Sequence, residues 1–278
     1  MKFKAFLRFI LISILIGMGL LAYTFFIEPG LLRANEQKFQ EWPAADLRVA
    51  FFADLHMGSP HIDADYVENL VEKINAYKPD IILIGGDLTI NEVVGGTKIP
   101  FTEVSRLLKK LNAPLGKFAV LGNHDWWNDT EEIHNGLKEA DIEVLENDSR
   151  LITHKETNFE LIGIGDHSTN HSDLEKSFSK SESKNPKLIF MHDPASLLEL
   201  KKNFNLAFAG HMHGGQVYIP GIGAPITPGK APKTWARGWI DLPIGKLFVS
   251  TGIGTSILPV RFNALPEFVI FDLKKPAL

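Results

Sequence analysis

Residues 117–127 read KFAVLGNHDWW, an apolar run that ends abruptly in an amide, an imidazole and a carboxylate. The run has the length and composition of a buried strand, and Gly122 marks where it stops. A chain leaving a strand through Asn123, His124 and Asp125 sets metal- and proton-handling groups at one edge of a sheet. The same signature recurs along the sequence: FFADLH (51–56) ends in Asp54 and His56, and LIGGD (83–87) in Asp87. IFMHD (189–193) ends in His192 and Asp193, and FAGHMH (208–213) in His211 and His213.

Around these exits the pattern alternates between strand and helix, as in an α/β fold built on a largely buried sheet. LRVAFFA (47–53) reads as the first strand. ADYVENLVEKINAY (64–77) places Val67, Leu70, Val71 and Ile74 at helical spacing, and DIILIGG (80–86) follows as a buried strand. FTEVSRLLKKL (101–111) fits a second helix. FELIGIG, KLIFM, LAFAG, KLFVS and EFVIFDL continue the strand signature beyond residue 150. No internal repeat is visible. SDLEKSFSKSESK (172–184) reads as a solvated helix or loop without chemistry.

A lone strand-end Asp is usually a cap, and a lone His a satisfied partner. The set is different. Of ten histidines, five fall at strand exits, whereas His61, His134, His154 and His171 are scattered through loops. Strand ends at one sheet edge converge. Asp54 and His56, like His211 and His213, are separated by one residue, so an extended backbone would point both members of each pair to one side. Leu55 and Met212 would then face away. Mixed oxygen and nitrogen donors suit Mn, Fe or Zn rather than calcium.

The amino terminus has its own composition. Lys2, Lys4 and Arg8 precede Phe9–Ile27, which contains no charge and would span roughly 28 Å as a helix. It offers no small-residue cleavage site and reads as an uncleaved signal anchor. The basic flank predicts a cytoplasmic amino terminus and a body on the far side, a periplasmic or equivalent space. Residues 1–30 carry a net +2, so the formal −4 of the chain leaves −6 on residues 31–278, a poor general nucleic-acid binder. Zero cysteines exclude disulfides, zinc-cysteine sites and thiol nucleophiles. No Gly-x-Ser-x-Gly elbow supports a serine nucleophile. The expected organisation is a flank and transmembrane anchor (1–30), a linker (31–46) and one catalytic domain (47–278).

In order, D-x-H, G-D, G-N-H-D, a separate His and G-H-x-H resemble the calcineurin-like metallophosphoesterase superfamily, over most of residues 47–273. Within it, the anchor, FADLHMG, GHMHGGQV and STGIGTSILPVRFNALPE resemble the membrane-anchored bacterial phosphodiesterase branch, related to UDP-diacylglucosamine pyrophosphatases. The resemblance implies a two-sheet β sandwich flanked by helices, preceded here by the transmembrane helix. It implies that Asp54, His56, Asp87 and His213 hold one divalent ion and that Asp87, Asn123, His192 and His211 hold a second, Asp87 bridging. The ions would be manganese, with Fe, Zn or Mg as alternatives. A water between them, deprotonated, would attack phosphorus in line. Met212 stands where related chains often carry Thr.

His124, the imidazole left over, would protonate the leaving oxygen or stabilise the transition state, provided a carboxylate, Asp54 or Asp125, offsets its charge. Asp125 alternatively caps the following turn. Asp166 and His167 either line the cleft or form a turn, and Asp193 caps the segment SLLELKK. Arg261 either holds a phosphate oxygen or is paired structurally. Trp126 and Trp127 either pack locally or hold a lipid chain or base at the mouth. Lys230, Lys233 and Arg237, in the Gly/Pro-rich loop 220–239, lie where an anion would approach. The expected substrate is a phosphodiester or pyrophosphate, membrane-associated and in the extreme lipid-linked. The alternatives are a UDP-diacylglucosamine pyrophosphatase of lipid A synthesis and a tethered binding protein with a decayed site.

Overall fold

In a computed structural model, which describes residues 2–90, 93–182 and 184–276, the chain begins with helix α1 (Lys2–Ala22), followed by a π turn over Tyr23–Ile27. This stretch is long and apolar enough to cross a membrane, and none of its hydrophobic window is buried against the rest of the chain. Strand β1 (Arg33–Phe39) follows, then β2 (Leu47–Phe52), α2 (Ala64–Ala76), β3 (Ile81–Ile84), α3 (Phe101–Leu108), β4 (Lys117–Ala119), α4 (Asn123–Trp127), α5 (Thr130–Glu139) and β5 (Glu143–Val144). The second half adds β6 (Asp148–His154), β7 (Thr157–Ile164), α6 (Leu174–Ser177), β8 (Lys187–Met191), β9 (Leu206–Ala209), β10 (Gly238–Leu242), β11 (Gly245–Val249) and β12 (Glu267–Leu273).

The strands form two six-stranded sheets, ordered β1-β12-β2-β3-β4-β5 and β10-β11-β9-β8-β7-β6. Both are mixed. β2 to β5 run parallel in one, and β7, β8, β9 and β11 run parallel in the other. Period-two alternation makes the sandwich: Val49, Phe51, Ile81 and Leu83 face Leu188, Phe190, Phe208 and Phe248 between the sheets. Ala50, Phe52, Ile82 and Ile84 face outward onto α2 and α3, and Ile189, Met191, Ala207 and Ala209 pack on the opposite outer layer. With both faces covered, the central strands read as unbroken apolar runs.

The segment 31–46, expected as a linker, contains β1, which pairs in parallel with β12 along its whole length. Its sequence, RANEQKF, alternates no apolar face because an edge strand stays largely open to solvent, and it is held by the backbone ladder together with polar contacts such as Arg33 and Asn35 to Glu267. Trp42 behind it is fully buried, edge-on to Phe159 at 5.6 Å. The folded body therefore starts at the helix exit, where Glu28 is also buried and accepts the Ala264 amide at 2.7 Å.

Candidate active site

The exits of β2, β3, β4, β8 and β9 meet at one end of the sandwich. Asp54, His56, Asp87, Asn123, His192, His211 and His213 are all buried there, and the carboxylates and imidazoles, with His124, fall into three overlapping groups: Asp54–His56–His213, His56–Asp87–His124 and Asp87–His192–His211. Asp87 Oδ2 lies 3.5 Å from His56 Nε2 and 3.3 Å from His192 Nε2, between the two expected ligand sets. Asn123 Oδ1 lies 3.1 Å from His192 Nε2.

The backbone that achieves this is not extended. Asp54, His56, Asp87, His211 and His213 take φ of 54°, 45°, 55°, 66° and 50°. Left-handed residues, each costing about 1 kcal/mol or more, turn the pairs inward in place of the strand alternation expected for D-x-H and H-x-H. Leu55 and Met212 still bury themselves in the apolar layers. The packing leaves no room for a side chain at Gly122, where an added Cβ would sit 2.2 Å from Asp87 Oδ1.

The donor chemistry fits divalent cations. His56 Nε2 faces His213 Nε2 at 3.3 Å, a repulsive pairing of lone pairs unless a proton or a cation lies between them. Burial keeps both imidazoles neutral, pulling His56 down to about 3 and His213 well below the usual imidazole range, so each ring keeps a nitrogen lone pair free for a cation. His192 donates its Nδ1–H to the Gly85 carbonyl at 2.8 Å, which turns its Nε2 to the cluster, 3.0 Å from His211 Nδ1. Burial raises Asp54 to about 7, so its anion also lacks a compensating charge. For Asp87, burial is outweighed by the charges of His192 and His56, and its carboxyl stays well below the usual range.

Asp125 takes three backbone amides: Asp87 at 2.7 Å, Leu88 at 2.9 Å and Gly122 at 3.0 Å. It caps the α4 turn and clamps it to the Asp87 loop. The carboxylate acting on His124 is instead Asp87, whose Oδ1 also accepts the His124 amide at 2.8 Å. Burial moves His124 below its ordinary pKa. Its Nε2 stands 3.4 Å from Ser256 Oγ. Ser256 went unassigned in the sequence because a lone serine in a Gly-rich loop carries no signal. Asp193 caps Ala195 through Oδ1, and its unpartnered Oδ2 also faces the unpartnered His211 Nε2 at 4.0 Å.

A cleft of about 1090 Å³ opens over the cluster, with Asp87, Asn123, His124, His211 and His213 on its floor. The expected substrate contacts lie elsewhere. Asp166 is fully buried and spends Oδ2 on the Ser168 hydroxyl and on the amide and hydroxyl of Thr169. His167 and Lys230 line a second, polar cavity, and from that segment Ser168 reaches the catalytic cleft. Arg261 is fully buried on the carbonyls of Ala264, Thr251 and Gly254 at 2.6, 2.9 and 2.6 Å. Lys233 bonds the Pro225 carbonyl, and Arg237 lies 3.6 Å over the Tyr218 ring. Trp126 stacks on His171 at 3.5 Å, whereas Trp127 lines the cleft.

Two mixed sheets with a histidine- and carboxylate-rich cluster at their strand ends define a metal-dependent phosphoester hydrolase. The calcineurin-like phosphoesterase family model matches residues 47–215, and the chain belongs to that family. It is 31% identical to the phosphodiesterase YaeI of Escherichia coli over 258 residues, 90% of this chain and 92% of that one. It is 28% identical to the uncharacterized metallophosphoesterase YkuE of Bacillus subtilis over 91% of this chain and 89% of that one. The solved Haemophilus influenzae NAD nucleotidase shares the fold, with a TM-score of 0.52 at 14% identity, over 76% of this chain and 46% of that chain.

Proposed function

We propose that the chain is a single-pass protein of the bacterial inner membrane whose catalytic domain, on the periplasmic side, hydrolyses a phosphodiester or pyrophosphate bond of a membrane-associated substrate. The observation that carries this reading is the convergence of seven buried donor side chains from five strand exits. Asp54, His56, Asp87 and His213 would hold one divalent ion, and Asp87, Asn123, His192 and His211 the other. Manganese suits this oxygen and nitrogen set. Bound there, the ions supply a water acidified near neutral pH and positive charge for the phosphoryl oxygens.

The protein's own part is positioning. His124, kept neutral by burial, lines the cleft floor and would donate a ring N–H to the leaving oxygen. Asp125 locks the loops that carry Asp87 and Asn123, and both Asp54 oxygens hold the His211 amide, at 3.0 and 3.1 Å. Lys2, Lys4 and Arg8 ahead of the uncharged run 9–27, against Arg33 and Lys38 behind it, support a cytoplasmic amino terminus.

The test is hydrolysis of an aryl phosphodiester, an aryl phosphomonoester and UDP-diacylglucosamine by chelated protein, with and without added manganese. Metal-dependent turnover of the diester is expected. Turnover confined to UDP-diacylglucosamine would replace the general phosphodiesterase with the lipid A pyrophosphatase, and no turnover with two metals bound would leave a binding protein.

A further inference from the structure

Resting on the phosphodiesterase reading above, we propose that the cleft over the donor cluster seats one long alkyl chain, so that the substrate is a phosphodiester bearing that chain, taken from the bilayer against which the cleft mouth lies.

The first observation is the character of the walls. Above the polar floor they are built from Val217, Ile226, Ile257, Leu258 and Trp127, and among the described residues no Lys or Arg lines the cleft. A site for a multiply charged, soluble phosphate would carry cations there. Of the cationic side chains expected to serve it, Lys233, Arg237 and Arg261 are bound to backbone or aromatic groups elsewhere, and Lys230 lines the second, polar cavity.

The second is exposure. Ile226 is 78% exposed, Ile257 70% and Trp127 59%, all on the rim of one opening. Single exposed apolar residues need no explanation, but a group of large ones around a functional mouth marks an interaction surface. Val94, also exposed, is bonded through its amide to the Ile257 carbonyl at 2.9 Å and extends the rim.

The third observation selects the occupant. The loop carrying Leu258 and Val260 is tied to the end of the apolar amino-terminal helix: the Arg261 amide donates to the Thr24 carbonyl at 3.1 Å, and the Ala264 amide to Glu28. On the other side His61 donates to the Phe25 carbonyl at 2.7 Å. Leu258 is three residues from Arg261, at most roughly 11 Å of extended chain. The wall of the cleft thus starts beside the point where the helix leaves the domain. A bilayer crossed by that helix lies within reach of the rim, and an alkyl chain can pass from it to the phosphorus without crossing water. Hydrolysis then consumes one water, whose oxygen forms the new bond to phosphorus. The ester P–O bond breaks, and the leaving oxygen takes the proton.

The experiment uses the full chain in detergent micelles with manganese and a series of 4-nitrophenyl alkyl phosphates, methyl to octyl. Reacting bond and leaving group stay constant while only the chain grows. We expect kcat/KM to rise by roughly twofold to fourfold per methylene, about 100-fold or more across the series. In Ile226→Asn and Ile257→Asn the ratio of octyl to methyl kcat/KM should fall at least tenfold; asparagine tolerates the left-handed φ of 64° at position 257. Equal kcat/KM for methyl and octyl esters would overturn the inference and leave the rim to a protein partner. An unchanged ratio in both variants would assign any chain effect to partition into micelles and overturn it as well. Failure of every ester with both metals bound would instead strike the phosphodiesterase reading beneath it.

Discussion

Replacing Arg261 by Met separates a structural guanidinium from a substrate contact. Arg261 has no exposed surface and bonds three backbone carbonyls at 2.6–2.9 Å. The loop it holds presses Gly252 and Gly254 against the site, where an added Cβ would lie 2.6 Å from Asp54 Oδ2 and 2.6 Å from His56 Cβ respectively. Each charge-assisted bond contributes about 1.5–3 kcal/mol, and the carbonyls left behind are buried and unpaired. Against this stands the cost of burying the cation, which pulls its pKa down to about 10. The net expected loss is about 3–5 kcal/mol, the range for breaking a buried charged network from one side. Urea unfolding of the detergent-solubilised chain, followed by tryptophan fluorescence, measures it, and Arg261→Lys should recover part of the loss. Metal content should fall with stability, because the loop backs two candidate ligands, Asp54 and His56. A variant within about 1 kcal/mol of the parent, whose KM for a soluble diester rises tenfold, would show that Arg261 binds substrate after all.

Asp87→Ala and His211→Ala should each abolish diester hydrolysis and lose bound metal by elemental analysis, since Asp87 stands between both donor sets. His124→Ala should keep both metals while kcat drops by about 10²–10⁴; full activity would remove this imidazole from the reaction. In Gly122→Ala the new methyl would collide with Asp87 Oδ1 and His192, so manganese affinity should fall at least tenfold with little loss of secondary structure by circular dichroism. Burial raises Glu146 to about 7 in the metal-free protein, despite its bond from the Leu121 amide. The folded state then holds on Glu146 a proton the unfolded chain has released, so the contribution of Glu146 to stability falls as pH rises from about 4.5 to about 7 and is level above. Glu146→Gln should remove that share of the pH dependence and gain about 3 kcal/mol relative to the parent at pH 8, read as the difference between urea melts of the two chelated proteins.

The strands were legible because both faces of each sheet are covered, so β2, β3, β8 and β9 appear as unbroken apolar runs whose ends announce themselves in Asp, Asn and His. β1 was not legible, since its polar side chains find partners far along the chain, Arg33 and Asn35 on Glu267, and leave no local apolar pattern. The candidate ligands could be found because a strand exit is a local event, written in adjacent residues. Asp166, His167 and Arg261 carried the same letters without the same placement: each lies beside a strand or an apolar loop, and only packing decides whether it faces the cleft, a turn or a buried carbonyl.

By itself, then, the sequence determined the apolar helix, the alternation of strands and helices, and the chemistry at the strand exits, because each depends on residues close in the chain. Only the tertiary structure decided that left-handed residues aim those groups at one point, that Asp87 lies between two donor sets, and that the cleft wall begins at the helix exit. Those properties depend on distances between segments more than two hundred residues apart, such as Glu28 and Ala264 at a separation of 236, and no local pattern encodes a distance.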